Sequence, residues 1–282
     1  TVTFRDAQHS DTGQGYDKYL ADRDYDPFTQ GTYWGKFRAR QRFLQGRELR
    51  WIEGVVGDGL ADMVSRAFVI ESFTGPSRDG TFTITAKDVL KLGDGDRAQA
   101  PRPTSGYMSA DITASQTSSS ILPTGVGNAE YPDVGYACIG GNEIVSYSRT
   151  NDVISFSRGV LGSTATTHKA GDRFQLVRRY SAADAADILY DLLVNDAGVP
   201  ASYITLADWQ AETDAFLGNV YTATICEPTP VRALCAELIE QAALSIWTDL
   251  ENAKLELRVL RAITPDADTF TPDNTLAGSL QI

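Results

Sequence analysis

The side chains that most often carry catalysis are scarce in this chain. It has two histidines, His9 and His168, and a histidine-dependent triad would need a nucleophilic serine or cysteine in a suitable context beside one of them. His9 lies in a polar terminal segment and His168 lies in a glycine-rich loop, and neither has that context. We therefore interpret His168 as a structural residue that binds loop backbone, and we predict no catalytic residue.

Paired carboxylates are the remaining route to hydrolysis, because two of them flanking a glycosidic bond are enough to cleave it. Glu53, Glu143 and Glu227 lie on predicted strands or at strand ends and are the candidates. With 37 acidic residues in the chain, some pair satisfies any loose spacing. The pattern therefore has little specificity for this chemistry.

A weak calcium pattern occurs near the start of the chain. Asp22, Asp24 and Asp26 alternate as the first ligands of a calcium loop do, but Pro27 stands where the loop needs glycine and Tyr33 where it needs glutamate. The sequence contains no zinc-ligand spacing, phosphate-binding loop or dinucleotide fingerprint. We predict no metal and no cofactor.

Composition excludes several classes of protein. Hydrophobic residues make up 42% and charged residues 22%, as in ordinary globular proteins, and no apolar run is long enough to span a membrane. The net charge of −12 repels phosphate, so specific binding to nucleic acid is not expected. An acidic wall would let DNA pass without sticking, although solubility alone explains the charge equally well. Cys138, Cys226 and Cys235 form no metal or disulfide pattern and are predicted to be free thiols.

Four basic residues alternate near the start of the first predicted module. In a strand they would project from one face, with Phe37 and Phe43 on the other. In so acidic a chain this stripe favours pairing with acid, either within the chain or on a neighbouring subunit, although a solvated strand face is the simpler alternative. The residues of this predicted interface are Lys36, Arg38, Arg40 and Arg42.

The first part of the chain is predicted to be β-structure. Residues 1–34 are polar and irregular, and residues 35–97 contain four short strand patterns separated by glycine-rich turns. Such spacing favours a small antiparallel barrel or sandwich. The predicted strands are Lys36–Phe43, Glu48–Val56, Ala67–Phe73 and Thr81–Lys87.

Residues 98–180 are predicted to form a linker and a second β module, with the linker or long surface loop covering about 93–130. A hairpin of Glu143–Tyr147 and Val153–Ser157 turns at Thr150-Asn151-Asp152. A third strand is predicted at Arg173–Tyr180.

The last third changes to a helical period. Residues 181–264 are predicted to be an α+β domain with about three helices, the first starting at a capping-box-like Ser181, followed by an extended tail at 265–282. The fold class is therefore α+β, mainly β. Trp51, Trp209 and Trp247 lie within predicted regular elements, and core packing is the predicted role for most of them. The aromatic residues of the N-terminal segment (Tyr16, Tyr19, Tyr25, Tyr33 and Trp34) are predicted to form a contact surface instead.

Several segments, in order, resemble one family. The loop after the hairpin reads Arg158-Gly159-Val160-Leu161-Gly162-Ser163-Thr164-Ala165-Thr166-Thr167-His168, similar to a loop recurrent in tail-tip proteins of long-tailed bacteriophages. The segments Gly31–Lys36, Arg66–Glu71, Thr83–Leu92 and Cys226–Ala242 also look like parts of the baseplate hub proteins of siphovirus-like phages. The similar stretches span about Asp26 to Arg261.

The resemblance implies a structural virion protein of the tail tip, assembled in the host cytoplasm. Such hubs form a homotrimeric, threefold ring around the genome-exit channel and act in genome ejection. The implied partners are the distal tail protein, the tail tube or tape-measure protein, and tip or fibre proteins, with DNA only in transit. The family has no catalytic residues to carry over. The alternatives are a tail-associated peptidoglycan hydrolase that uses two carboxylates and a receptor-binding adhesin that uses the N-terminal aromatic residues.

Overall fold

The computed structural model describes residues 1–9, 31–95 and 98–261. Strands form 38% and helices 24% of it, and the sheets are antiparallel. The predicted class, α+β and mainly β, is confirmed. The described residues contain no helix with the length and hydrophobicity that a membrane-spanning segment requires. The Asp22, Asp24 and Asp26 cluster, Tyr16, Tyr19 and Tyr25, and the tail at 265–282 lie outside the described residues.

The N-terminal module is a four-stranded sheet. Alternation places Phe82 and Ile84 on its buried face, where they pack with Ile70 and Leu44. The strand β1 falls inside the segment predicted to be irregular, and it pairs with β4 from Val2↔Ile84 to Arg5↔Thr81. In spatial order the strands are β1 (Val2–Arg5), β4 (Thr81–Lys87), β3 (Val64–Thr74) and β2 (Glu48–Glu53).

The predicted strand Lys36–Phe43 is wrong, because this segment begins with the helix α1 (Tyr33–Arg40). Thr32 caps the helix by accepting from Gly35 N, as N-cap threonines do. Trp34 and Phe37 lie three residues apart on one helical face, and both pack against the N-terminal core. The alternation of basic residues is typical of a strand, but the packing of Trp34 and Phe37 against the core stabilises a helix here.

The second module is a six-stranded antiparallel sheet that closes into a barrel. Its first and last strands meet through the bridge Tyr107↔Arg173 and the bond from Phe174 N to Gly106 O (2.9 Å). The short helix α2 (Val126–Glu130) lies between the second and third strands along the chain. Around the barrel the order is β11 (Phe174–Leu176), β8 (Val134–Ile139), β9 (Glu143–Thr150), β10 (Val153–Ser157), β7 (Ser118–Leu122) and β6 (Tyr107–Met108).

The barrel confirms the predicted hairpin and corrects the predicted linker. Strands β9 and β10 pair from Val153↔Thr150 to Ser157↔Ser146, and Asn151 takes the left-handed conformation in the turn (φ 54°). Residues assigned to a linker instead supply β6, β7 and α2, with Met108 and Ile121 buried in the barrel core. The predicted strand Arg173–Tyr180 is interrupted, since its first part belongs to the barrel and its second part to the next module.

The C-terminal module confirms three helices but corrects the first cap. Asp184, rather than Ser181, caps α3 by accepting from Ala186 N at 2.7 Å. The helix continues as a π-helical turn at Asp191–Asp196 and stops at Gly198 (φ 76°), as a glycine just past a helix should. The elements are β12 (Arg178–Asp184), α3 (Ala185–Tyr190), α4 (Leu206–Phe216), β13 (Val220–Ile225), β14 (Thr229–Pro230), α5 (Val231–Gln241), β15 (Leu244–Asp249) and β16 (Lys254–Val259).

The N-terminal and C-terminal modules share one hydrophobic core. Val69 of β3 and Val89 of the 3₁₀ helix Val89–Asp94 pack in the same cluster as Leu189 and Trp209. The short strand β5 (Gln99–Ala100) pairs with β14, which joins the two modules through backbone hydrogen bonds. The barrel has a separate core. It is therefore an insertion between two halves of a single packed unit.

The tryptophans divide between core and surface. Trp209 is 2% exposed and donates its indole N–H to Leu255 O at 3.0 Å, which confirms its predicted core position. Trp51 and Trp247 are 48% and 42% exposed, so the prediction that they pack in cores is wrong. Trp34, predicted to lie in a contact surface, stacks on Phe82 with ring centroids 4.6 Å apart.

Candidate functional site

The Glu143 carboxylate is the centre of the most densely bonded polar cluster in the barrel. Its side chain is fully buried. Arg158 forms a bidentate ion pair with both carboxylate oxygens, in which Nε lies 2.6 Å from Oε1 and Nη2 lies 2.7 Å from Oε2. The backbone N–H groups of Gly159 and Thr166 donate at 3.0 Å and 2.9 Å, and His168 Nε2 lies 3.0 Å from Oε2. A buried charge with this many partners is stabilised rather than strained.

The glycine-rich loop after β10 is folded around this carboxylate. Arg158 also donates to the carbonyl oxygens of Thr113 and Gln116 (2.6 Å and 3.0 Å), so the guanidinium ties the β6–β7 connection to the loop. Gly159 takes φ 58°, and a Cβ there would lie 2.9 Å from Ala165 N. The loop therefore needs arginine, glycine and histidine for its own structure.

His168 is structural, as predicted, but its side chain has a different partner. It is 3% exposed and bonds the Glu143 carboxylate rather than loop backbone. Because an ionised carboxylate only accepts, Nε2 carries the proton in this contact. The backbone of His168 pairs with Ile112 in both directions, which connects the loop to the segment after β6.

This environment sets the protonation state of Glu143. Burial raises the pKa of the carboxyl, but the donors on Arg158, Thr166, His168 and Gly159 outweigh burial and lower the pKa to about 2. A carboxyl with such a low pKa does not hold the proton that a general acid must give. Its oxygens are also occupied and buried. The arrangement gives Glu143 no role as the acid of a glycosidic pair.

Acid should weaken the barrel through Glu143. A carboxyl whose pKa is depressed on folding stabilises the fold above its unfolded pKa, and this contribution disappears as pH falls from about 4.5 toward 2. The difference in pKa corresponds to about 3 kcal/mol of folding free energy.

Urea unfolding at several pH values, followed by hydrogen exchange in barrel peptides, measures this loss of stability. The stability lost in Glu143→Gln should be large at pH 7 and shrink in acid, whereas the exposed Glu240→Gln control should show no such dependence. A pH-independent loss would contradict this assignment.

The other two candidate carboxylates lie elsewhere in the fold. Glu53, at the end of β2, is exposed and accepts from Arg66 Nη1 at 2.6 Å and from Trp51 Nε1 at 2.8 Å. The bonds from Arg66 and Trp51 lower the pKa of Glu53. Glu227 is exposed and follows β13. The three carboxylates belong to three different modules and are not brought together as an acid and base pair on one element.

The four residues of the predicted basic interface do not share a face. Lys36, Arg38 and Arg40 lie on the α1 helix, which turns by about 200° at each two-residue step, and Arg42 lies beyond its end. The predicted stripe is therefore wrong as a strand geometry. Lys36 is buried and its ammonium bonds His9 O. The guanidinium of Arg38 lies 4.2 Å above the ring of Phe73. Arg40 and Arg42 are exposed near the end of the helix. A role of these residues in subunit contact stays a prediction.

A cleft of about 980 Å³ separates the barrel from the C-terminal module. Arg178 lines the cleft. Its guanidinium pairs with Asp196 (Nη2 to Oδ1, 2.9 Å) and with Asp191 (Nη1 to Oδ2, 2.9 Å). Burial raises the pKa of Asp196, with Arg178 opposing it. Arg102 and Glu130 line the same cleft. Arg102 donates to Asn195 O at 2.7 Å and Glu130 accepts from Ser105 N at 2.6 Å, so these charged groups bond the cleft's own walls rather than converge on a common point in it.

Metal-ligand clusters are not found in the part of the chain that the structure describes. Cys138, Cys226 and Cys235 are free thiols, as predicted, with Cys226 only half-buried. Burial raises the pKa of Cys235 to about 12 and that of Cys138 to about 11. Neither buried thiol is therefore a reactive thiolate at neutral pH.

One surface was missed by the sequence reasoning. The loop between β2 and β3 exposes Val55, Val56 and Leu60 at 72%, 103% and 74%. Three large aliphatic side chains this exposed in one loop are unusual for a surface without a partner. The signal in the sequence is the apolar pair Val55-Val56 set between glycines, which was interpreted as the end of a strand and a turn.

Comparison with protein-family models, curated proteins and solved structures gave no match for this chain.

Proposed function

We propose that this chain is a structural protein of a bacteriophage tail tip, a baseplate hub that forms a threefold ring between the tail tube and the tip or fibre proteins. The observation that supports this most is the construction of the Arg158–His168 loop. The residues that carry the resemblance bind the buried Glu143 carboxylate and hold the barrel together. Their chemistry is that of a rigid scaffold.

The free edges of the N-terminal sheet also support assembly. Strands β1 and β2 are the two edges of its four-stranded order, and neither pairs with a further strand in the described residues. An open edge presents unpaired N–H and C=O groups that a neighbouring strand can bind. A sheet with two open edges is suited to heterologous contacts, which close into a ring. In the proposed ring, the acidic character of the chain lets DNA pass through the channel during genome ejection.

The mass of the assembled particle tests this proposal. We expect light scattering on a size-exclusion column to give three times the chain mass of 30.6 kDa at high protein concentration, over a range of salt. A monomer at every concentration, or a stable dimer, would count against the threefold ring.

Peptidoglycan zymography tests the alternative, a tail-associated hydrolase. We expect no clearing band from the purified full chain, because Glu143 is buried and fully bonded and Glu53 and Glu227 belong to other modules. A clearing band lost in Glu53→Gln or Glu227→Gln but kept in Glu240→Gln would replace the structural proposal with the enzymatic one.

A further inference from the structure

The loop that joins β2 and β3 carries an apolar and acidic surface. We name it the acidic tip and define it as Val55, Val56, Asp58, Leu60 and Asp62. Its three aliphatic side chains are exposed. Asp58 Oδ2 accepts only a local bond from Val55 N at 3.3 Å. In the described ranges neither aspartate forms an ion pair. The surface therefore offers to a partner both apolar area and carboxylates that pair with no basic residue of the described ranges.

A surface of opposite charge lies before β2. Residues 33–47 contain five basic side chains and no acidic one, in a chain whose net charge is −12. Phe43 is 81% exposed, and Arg42 and Arg47 on either side of it are exposed and form no ion pair with any described residue. We name Arg42, Phe43 and Arg47 the basic end. It too combines an exposed apolar group with charges that have no acidic partner among the residues the structure describes.

These two surfaces lie at opposite ends of the same strand. The pairing of β2 with β3 runs from Glu48↔Val69 to Glu53↔Val64. The basic end lies beside Val69, since Gly46 N bonds Ile70 O at 2.8 Å. The acidic tip follows Glu53, the residue that pairs with Val64 at the other end of the strand. The strand rises about 3.3 Å per residue, which separates the surfaces by about 17 Å or more. The acidic tip and the basic end of one copy are therefore too far apart to contact each other.

We propose that the acidic tip of one copy docks on the basic end of the next copy. The contact is heterologous, because each copy gives its tip to one neighbour and its basic end to another, and repetition of such a contact closes a ring. Phe43 packs among Val55, Val56 and Leu60, while Arg42 and Arg47 face Asp58 and Asp62. This inference deepens the proposed hub function and depends on its self-assembly.

Charge favours a second copy over a lipid surface as the occupant. Asp58 and Asp62 lie in the same loop as the apolar side chains of the tip, and anionic headgroups repel such a pair of carboxylates. The same carboxylates are complementary to the basic end, which has no acidic residue. The chain itself therefore contains a surface that is complementary to the tip in charge.

Two full-length double variants test the contact by sedimentation velocity and light scattering. Val56→Ser with Leu60→Ser removes the tip, and Arg42→Ser with Phe43→Ser removes the basic end. We expect each to weaken self-association at least tenfold. A one-to-one mixture should give a dimer that does not grow further, since it has one intact tip and one intact basic end available to each other. Val134→Ser with Val220→Ser, two exposed valines elsewhere, is the matched control and should assemble like the wild type.

Any of four results would overturn the proposal. The first is a wild type that remains monomeric at about 100 µM or above, which would also count against the proposed ring. The second is a variant that assembles like the wild type, which would leave the ring intact and assign its contact to another surface. The third is a mixture that remains monomeric while both variants keep the circular dichroism of the wild type. Binding of the wild type to neutral or anionic vesicles that Val56→Ser with Leu60→Ser abolishes would assign the tip to lipid instead.

Discussion

Replacement of Arg158 by alanine is expected to lower the free energy of unfolding of the barrel by about 3–5 kcal/mol. The substitution leaves the fully buried Glu143 carboxylate without its bidentate partner. It also removes the donor that ties the loop to the carbonyl oxygens of Thr113 and Gln116. Breaking a buried ion pair costs more than the pair contributes, since the remaining charge is left uncompensated.

Hydrogen exchange with mass spectrometry, in increasing urea, localises this loss. Peptides from residues 107–176 should lose protection in Arg158→Ala, and peptides from the shared core should keep it. The exposed Arg232→Ala, whose pairing with Asp94 is long at 3.4 Å, is the control. The double variant Arg158→Met with Glu143→Gln should recover part of the stability, because it removes both charges. A loss below about 1 kcal/mol in Arg158→Ala would mean that the cluster is not what holds the loop.

Replacement of Trp209 by alanine is expected to destabilise the other unit by about 3–5 kcal/mol, the usual cost of truncating a buried large aromatic side chain. Trp209 packs in the core that the N-terminal and C-terminal modules share. Protection should therefore fall in residues 64–95 and 178–259 together, while the barrel peptides are unaffected. Thermal unfolding and hydrogen exchange measure both parts of this prediction.

The two exposed tryptophans are matched controls for this experiment. Trp51→Ala and Trp247→Ala remove the same side chain from positions that are about half exposed, and each should cost less than about 1 kcal/mol. If Trp209→Ala lowered protection in the C-terminal residues alone, the shared core would be incorrect and the modules would be separate domains.

The strongly periodic parts of the sequence predicted their structure well. The strand Thr81–Lys87 alternates cleanly and was predicted at its actual bounds, and the helix α5, one of the three helices expected in the last third, repeats apolar residues at helical spacing. The β9–β10 hairpin was predicted because Asn151 and Asp152 supply a turn between two alternating runs. Local preference and tertiary packing agree in these elements.

The errors arose where tertiary contacts decide the structure. The alternating basic residues of the segment 36–42 fit a strand, but Trp34 and Phe37 both reach the core only when the chain is helical there. The strands β6 and β7 are short, two and five residues, and exist because the barrel closes over them. No local period reveals that Val69 and Leu189 belong to one core.

The candidate surfaces were only partly readable from the sequence. The Arg158–His168 loop was recognised by its glycines and its resemblance, but the role of Glu143 at its centre depends on a contact between residues 15 positions apart. The acidic tip could not be predicted from the sequence, because the exposure of Val56 and Leu60 depends on how the loop leaves the folded sheet. Both features become clear only when the strands are placed.

Electron microscopy of the purified full-length protein tests the central claim most directly. At a concentration where the chain associates, negative-stain class averages should show a ring with threefold symmetry and an open centre. The same images of the variant Val56→Ser with Leu60→Ser should show single chains. Wild-type particles that are compact, two-fold symmetric or without a central opening would contradict the hub assignment.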